Sequence, residues 1–279
     1  MSDLITSPPT VPDLYPNVPE SVYHGDTSSL SSTAVRLLVK PGGPAKYIGA
    51  EREESDVFDI GTSAHTLMLG TGADIVEVKA DSWSTKAAKE ERAAAREQGK
   101  VALLSKQLAA TRRMVDAAMT RPEVAELINP ASDREAVSEM TGYAMDPETW
   151  VMLRARFDRI IFGPDKHVTV VDYKTTKNAS PTAFPRSAAE CGYHVQEAHY
   201  RRVLTELGYV VDRFVFLAQE KTPPYLTCLH EFDPDAVAAG DQVVTAGIAI
   251  FARCTATGQW PGYVGVNRMS LPSWAFKEW

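Results

Sequence analysis

Cysteine is scarce: the 279 residues hold three, Cys191, Cys228 and Cys254, far apart and with no C-x-x-C pair. A disulfide framework or a site of four thiolates around zinc or an iron–sulfur cluster therefore lacks its ligands. Free thiols in a reducing compartment are the expectation. Excess positive charge is missing too. A net charge of −7 and a pI near 5.4 argue against a protein that coats nucleic acid by bulk charge, although a local basic groove remains compatible with them. The N-terminus lacks a basic segment followed by an apolar run, so no signal peptide is expected. No stretch approaches the run of about 18 apolar residues that spans a bilayer. A cytoplasmic protein with no membrane partner follows from these two absences. There is no G-x-x-x-x-G-K-[ST] loop, which argues against ATP as a cofactor, and no internal repeat.

What is present is an ordinary globular composition, 44% hydrophobic and 23% charged, in a chain long enough for one large domain. Residues 1–20 carry five prolines and read as an extended, partly disordered arm. Residues 21–279 read as one domain. A Ser/Thr-rich start within Asp26–Thr33 leads into a helix through Val39, stopped by Pro41-Gly42-Gly43-Pro44. A second helix is expected from near Asp56 to Leu69. Ile75–Lys79 reads as a short strand, Thr85–Gly99 as a solvated helix or mobile excursion, Ser105–Thr120 as a helix, and Val124–Ile128 as one more turn. Three strands follow, Ala136–Met145, Trp150–Phe162 and His167–Thr175, with a turn at Gly163-Pro164-Asp165-Lys166. One long helix is expected from about Pro185 to Leu207, then strands Val210–Ala218 and Tyr225–Glu231. A last helix runs from Asp233-Pro234 to Thr255, before an irregular aromatic tail. This order implies an α/β fold with a central mixed β-sheet flanked by helices.

The chemistry gathers near the turn at Asp165. Asp172 and Lys174 are two apart and share a strand face. Asp158 and Asp172 are equidistant from Asp165, so a hairpin centred there sets the two carboxylates opposite each other, and Arg156 opposite Lys174. Like charges so placed repel unless something neutralises them. A divalent cation bound by hard oxygen ligands, Mg²⁺ or Mn²⁺, would do so for the aspartates. Taken alone, D-x-K is common, and a surface salt bridge at a strand end is the better account of it.

The wider pattern resembles the RecB-like branch of the PD-(D/E)xK nucleases, whose core is restriction-endonuclease-like. Gly61-Thr62-Ser63-Ala64-His65 matches that branch's helix-borne histidine. Asp158, Asp172-Tyr173-Lys174 and Gln196-x-x-x-Tyr200 follow in the family's order. Within it, the chain more closely resembles RecE-type (exonuclease VIII-like) phage and prophage exonucleases. That likeness rests on Tyr23-His24, Pro44–Tyr47, Gly61–Leu69, Arg156-Phe157-Asp158 (where the family has R-P-D), Asp172–Thr176, Tyr193-His194-Val195-Gln196, and the tail around Trp260–Tyr263 and Leu271–Ala275.

The resemblance implies metal ligation by His65, Asp158, Asp172 and the Tyr173 carbonyl, with Lys174 positioning the attacking water and stabilising charge on the phosphoryl group. Glu139 is the further acidic candidate, with Glu135 competing for the same role. Gln196, Tyr200, Arg154 and Arg156 are candidate DNA contacts, although Tyr200 could equally pack its helix on the sheet. The family implies a 5′→3′ exonuclease that acts on double-stranded DNA ends and leaves 3′ overhangs. It implies a toroidal homo-oligomer, a tetramer or trimer, and as partner a RecT-like phage single-strand annealing protein in the bacterial host cytoplasm. Two alternatives stand beside this reading. One is a Cas4- or AddB-like nuclease, for which three cysteines are too few to hold the usual iron–sulfur cluster. The other is a non-catalytic DNA-binding subunit of a recombination complex.

Overall fold

Residues 136–176 form an antiparallel meander at the centre of the molecule: β4 (Ala136–Met145), β5 (Met152–Phe162) and β6 (His167–Thr176). The computed structural model describes residues 5–50 and 60–276. The predicted beginning of the second helix near Asp56 lies outside them. The meander belongs to a six-stranded mixed sheet of order β1-β4-β5-β6-β7-β8, where β1 is Asp13–Tyr15, β7 Val210–Glu220 and β8 Thr227–His230. Among the described residues of this sheet, only the β6–β7 pair of strands is parallel. A parallel pair needs a long crossover, and two helices provide it, α8 (Phe184–Cys191) and α9 (Tyr193–Glu206).

Each sheet face buries its own core. On one face Phe157, Ile160, Val170, Phe214 and Phe216 pack with residues of α2 (Ser32–Leu38), α9 and α10 (Pro234–Thr257). On the other, Ile161, Val171, Tyr173, Val215 and Leu217 pack with α4 (Ile60–Leu69), α6 (Ser105–Met119) and α7 (Pro122–Ile128). Capping follows the sequence signals. The Ser31 side chain accepts the Ala34 amide at the start of α2, and Asp233 accepts that of Ala236 at the start of α10, where Pro234 follows. Helix α10 crosses α9 closely because Gly240 has no side chain there.

Several expectations change. The N-terminal arm is not simply free: residues 13–15 pair with β4 at Tyr143, Gly142 and Thr141, and α1 (Glu20–Gly25) follows at once. Pro41–Pro44 does not open a loop but turns directly into α3 (Gly43–Ile48). The excursion at 85–99 is α5 (Lys86–Glu97), whose Ala88 and Ala95 are buried against a parallel pair, β2 (Ile75–Val78) and β3 (Val101–Leu104). Strand β3 gave no alternation to read because both its faces are covered. The single helix expected over 185–207 is broken at Gly192, which takes φ 68° and both ends α8 and precedes α9. Helix α10 is long and apolar enough to span a bilayer, with a mean hydropathy of 1.3, contrary to the expectation that no segment is. Here its Val244, Ile248 and Phe251 serve the first core.

Candidate active site

The predicted hairpin register is the one observed. Arg159 pairs with Val171 and Ile160 with Val170, so the next position sets Asp158 opposite Asp172. On the other side, Ser138 pairs with Arg159 and Met140 with Phe157, which sets Glu139 opposite Asp158. Three acids therefore occupy one row across three adjacent strands. Both ladders are irregular at that row. Glu139 takes φ 54°, a region that side-chain-bearing residues rarely adopt. Phe157 and Ile160, three apart, both face the first core while Ile161 faces the second, so β5 changes phase between them. On β4, Val137 and Met140 both pack with the first core in the same way.

The interruption lets side chains from both faces meet. His65 comes from α4, whose Ala64, Met68 and Leu69 are buried in the second core and whose Leu69 carbonyl accepts the Ser138 hydroxyl. Its Nε2 lies 2.9 Å from Asp158 Oδ2 and its Nδ1 3.5 Å from Glu139 Oε1. Asp158 Oδ2 also accepts the Tyr173 amide at 2.8 Å. On β6, Asp172 is buried, ion-paired with Lys174, and accepts Gln196 Nε2 at 2.8 Å. The Tyr173 side chain points to the opposite face and donates to Gln219 Oε1 at 2.6 Å.

Charge and burial compete throughout the cluster. Burial disfavours the His65 imidazolium, but Asp158, then Glu139 and Asp172, outweigh it and lift its pKa to about 9. Burial raises Asp158, yet His65 and Lys174 hold it below its ordinary value. Asp172 is raised to about 6 by burial and by Asp158, against the pull of Lys174. Glu139 is raised to about 7 by burial and then by Asp158, with His65 and Arg156 opposing. Lys174 is pushed down by burial but ends above its ordinary value because Asp172 and Asp158 surround it.

His65, Glu139 and Asp158 each offer one ligand atom, and these atoms lie within 4.8 Å of one another. One imidazole nitrogen and two carboxylate oxygens make a donor set suited to a divalent cation. This grouping differs from the expected one. Glu139 is inside it, whereas Asp172 sits beside it, held by Lys174 and Gln196, and Tyr173 presents its amide to Asp158. Glu135, the competitor to Glu139, is exposed before β4.

The candidate DNA contacts are all engaged with neighbours in the fold. Arg154 is buried against Asp26 and the Ser29 carbonyl. Arg156 does not face Lys174. It lies under the Tyr23 ring at 4.3 Å, donates to the Val18 carbonyl at 2.7 Å, and approaches Glu139 Oε2 at 3.8 Å. Gln196 is spent on Asp172. Tyr200 is buried edge-on to Phe157, with ring centroids 5.2 Å apart, so it does pack α9 onto the sheet. Tyr23, Asp26 and Gln219 support this site and had no assigned role in the sequence reading. Tyr23 lay inside a quoted motif; Asp26 and Gln219 gave no signal without the fold.

Comparison with known proteins places the chain in a family. The model of the PD-(D/E)XK nuclease superfamily matches residues 40–242, more than half of the chain. The chain belongs to the PD-(D/E)XK nuclease superfamily. Its fold is also that of a candidate exonuclease of Eubacterium rectale, at a TM-score of 0.57 and 10% identity, with 88% of each chain covered. A phage-related exonuclease of Haemophilus somnus aligns over 83% of this chain and 96% of its own, at 9% identity and a TM-score of 0.33. No curated protein matches the sequence. PD-(D/E)XK nucleases use divalent metals, and the His65–Glu139–Asp158 group is where this member has the donors for one.

Proposed function

We propose that the protein is a 5′→3′ exonuclease acting on the ends of linear double-stranded DNA. It uses Mg²⁺, with Mn²⁺ able to substitute, needs no ATP, and leaves 3′ overhangs for phage-type recombination by strand annealing in the bacterial cytoplasm. The observation that carries this reading is the position of Lys174: its ammonium rests on Asp172 immediately beside the His65–Glu139–Asp158 ligand group. A bound cation supplies charge neutralisation and lowers the pKa of a bound water. His65, Asp158 and Glu139 would hold it, with Asp172 and the Tyr173 carbonyl as further candidate ligands. Lys174 orients the attacking water and faces the charge that grows on the phosphoryl oxygens. Gln196 keeps Asp172 in place.

The toroidal homo-oligomer, a tetramer or trimer, and a RecT-like annealing partner belong to the same proposal. The C-terminal tail supports an assembly, because Val264, Val266, Met269, Leu271, Trp274 and Phe276 are all exposed within 13 residues. Isolated apolar residues on a surface are ordinary, but a dense run of them marks a docking surface. The test is degradation of an end-labelled linear duplex with Mg²⁺, beside closed circular DNA and the Lys174→Ala variant. Loss of the linear substrate alone, from the 5′ end and abolished by Lys174→Ala, is the expected result. No degradation by the wild type, or equal degradation by both proteins, overturns the proposal.

A further inference from the structure

The break at Gly192 has a partner across the site. It makes Tyr193 the first residue of α9, three before Gln196, so both lie on one helix face. Gln196 donates to Asp172, and the Tyr193 ring lies under the neighbouring Lys174, with Nζ 4.9 Å from its centroid. The ring itself is fixed. It stacks on Phe216 at 5.8 Å and 17°, and Phe184 flanks it at 6.1 Å. Phe216 is buried on β7 directly beside Asp172 in the parallel register.

A lysine side chain has four rotatable bonds and a compact charge that water solvates strongly. Asp172 is its direct anionic contact here, and that carboxylate is also claimed by Gln196. An ammonium that is to face a phosphate must not depend on this carboxylate alone. An aromatic face attracts it without offering a competing anion. We propose that Tyr193 is a positioning residue for Lys174, its ring face holding the ammonium at the end of β6 toward the scissile phosphate. The inference rests on the nuclease reading given above. Gly192 serves the same end, since a side chain there would be strained by φ 68° and would meet Arg36 Cδ at 2.7 Å.

The test compares wild type, Tyr193→Phe, Tyr193→Leu and Tyr193→Met, the last two removing the aromatic face at two different shapes. For each, kcat and KM are measured on linear duplex. Lys174 is also labelled with an amine-acylating reagent and quantified by mass spectrometry. Tyr193→Phe is expected to keep kcat within about twofold, and Tyr193→Leu and Tyr193→Met to lower it about tenfold with KM little changed. Labelling of Lys174 should rise in the Leu and Met variants and stay at the wild-type level in Phe. Wild-type kcat and labelling in a folded Leu or Met variant overturn the inference, as does a Phe variant as impaired as the other two. If the wild type cleaves nothing, the nuclease reading fails by itself, and the labelling still decides whether Tyr193 holds Lys174.

Discussion

His199 offers a test of the first core that is independent of the chemistry. It is fully buried on α9 and its Nε2 donates to the Arg154 carbonyl at 3.0 Å, while Nδ1 has no hydrogen-bond partner among the described residues. Burial lowers its pKa from 6.5 to about 4; the bond to Arg154 opposes this, and the charges of Arg154 and Arg202 add to it. The unfolded chain therefore takes up this proton near pH 6.5, while the folded protein resists it until about pH 4. The stabilising contribution is complete above the unfolded pKa and is lost as pH falls through this window. Integrating between the two values gives a loss of about 2 kcal/mol at pH 5 and about 3 kcal/mol at pH 4. The whole-protein profile will not show this alone. Glu139 and Glu197 are both raised to about 7, chiefly by burial, and their contributions run the other way, being lost as pH rises. The discriminating quantity is the difference between wild type and His199→Gln, which keeps a donor for Arg154 but does not titrate. Urea unfolding in steps from about pH 7 to about pH 4 should show wild type losing about 3 kcal/mol relative to the variant. A gap that changes by less than about 1 kcal/mol over that range would refute the buried neutral imidazole.

Other perturbations have equally definite signs. Gly240→Ala places a Cβ 2.3 Å from the His194 carbonyl oxygen, a backbone atom, so α10 must move off α9. A stability loss of about 2–3 kcal/mol is expected in calorimetry, and an unchanged Tm would mean that the two helices part freely. Tyr173→Phe leaves the buried Gln219 Oε1 without its donor at a cost of about 1–3 kcal/mol, although activity should persist; chemical denaturation with no change would place that hydroxyl elsewhere. Asp172→Ala and Asp172→Asn should both abolish cleavage. Only the alanine variant strips Lys174 of a buried partner altogether, so it should be the less stable by about 1–3 kcal/mol. Near wild-type cleavage by either one would remove Asp172 from the site.

The meander strands and the β5–β6 register were legible because a period-two pattern flanks an unmistakable turn, so simple symmetry about Asp165 paired Asp158 with Asp172. The same reasoning applied to the turn after Met145 would have set Glu139 opposite Asp158 and favoured it over Glu135. What stayed hidden depends on contacts distant in sequence. Arg154 and Arg156 share the strand parity of a phosphate-binding pair, but parity does not reveal that residues 18–29 fold over them and take both charges for Asp26, Val18 and Tyr23. Gly192 sits in a segment of good helix formers. Its left-handed conformation, which glycine adopts without strain, ends α8 where the surrounding residues alone would continue a helix. Strand β3, covered on both faces, had no polar alternation to display.

The row Glu139–Asp158–Asp172 also explains why the sheet is irregular where it is. Like charges directly opposite on neighbouring strands destabilise a sheet, and here three acids share one row. Three cationic side chains offset them: His65 bridges Asp158 and Glu139, Lys174 covers Asp172, and Arg156 approaches Glu139. Even so, burial and then the neighbouring Asp158 raise the Glu139 carboxyl to about 7. A regular ladder would have sent alternate residues to fixed faces and kept His65 on α4 away from a row shared with the α9 side. The phase change in β5 and the left-handed Glu139 remove that constraint. Backbone strain of this kind costs about 1–3 kcal/mol and persists only where the surroundings over-determine it. Here they do so through Ser138 on Leu69, Arg156 on Glu139 and the Tyr173 amide on Asp158. Every one of these supports the side chains that would meet a divalent cation, so the distortion gathers at the candidate metal site.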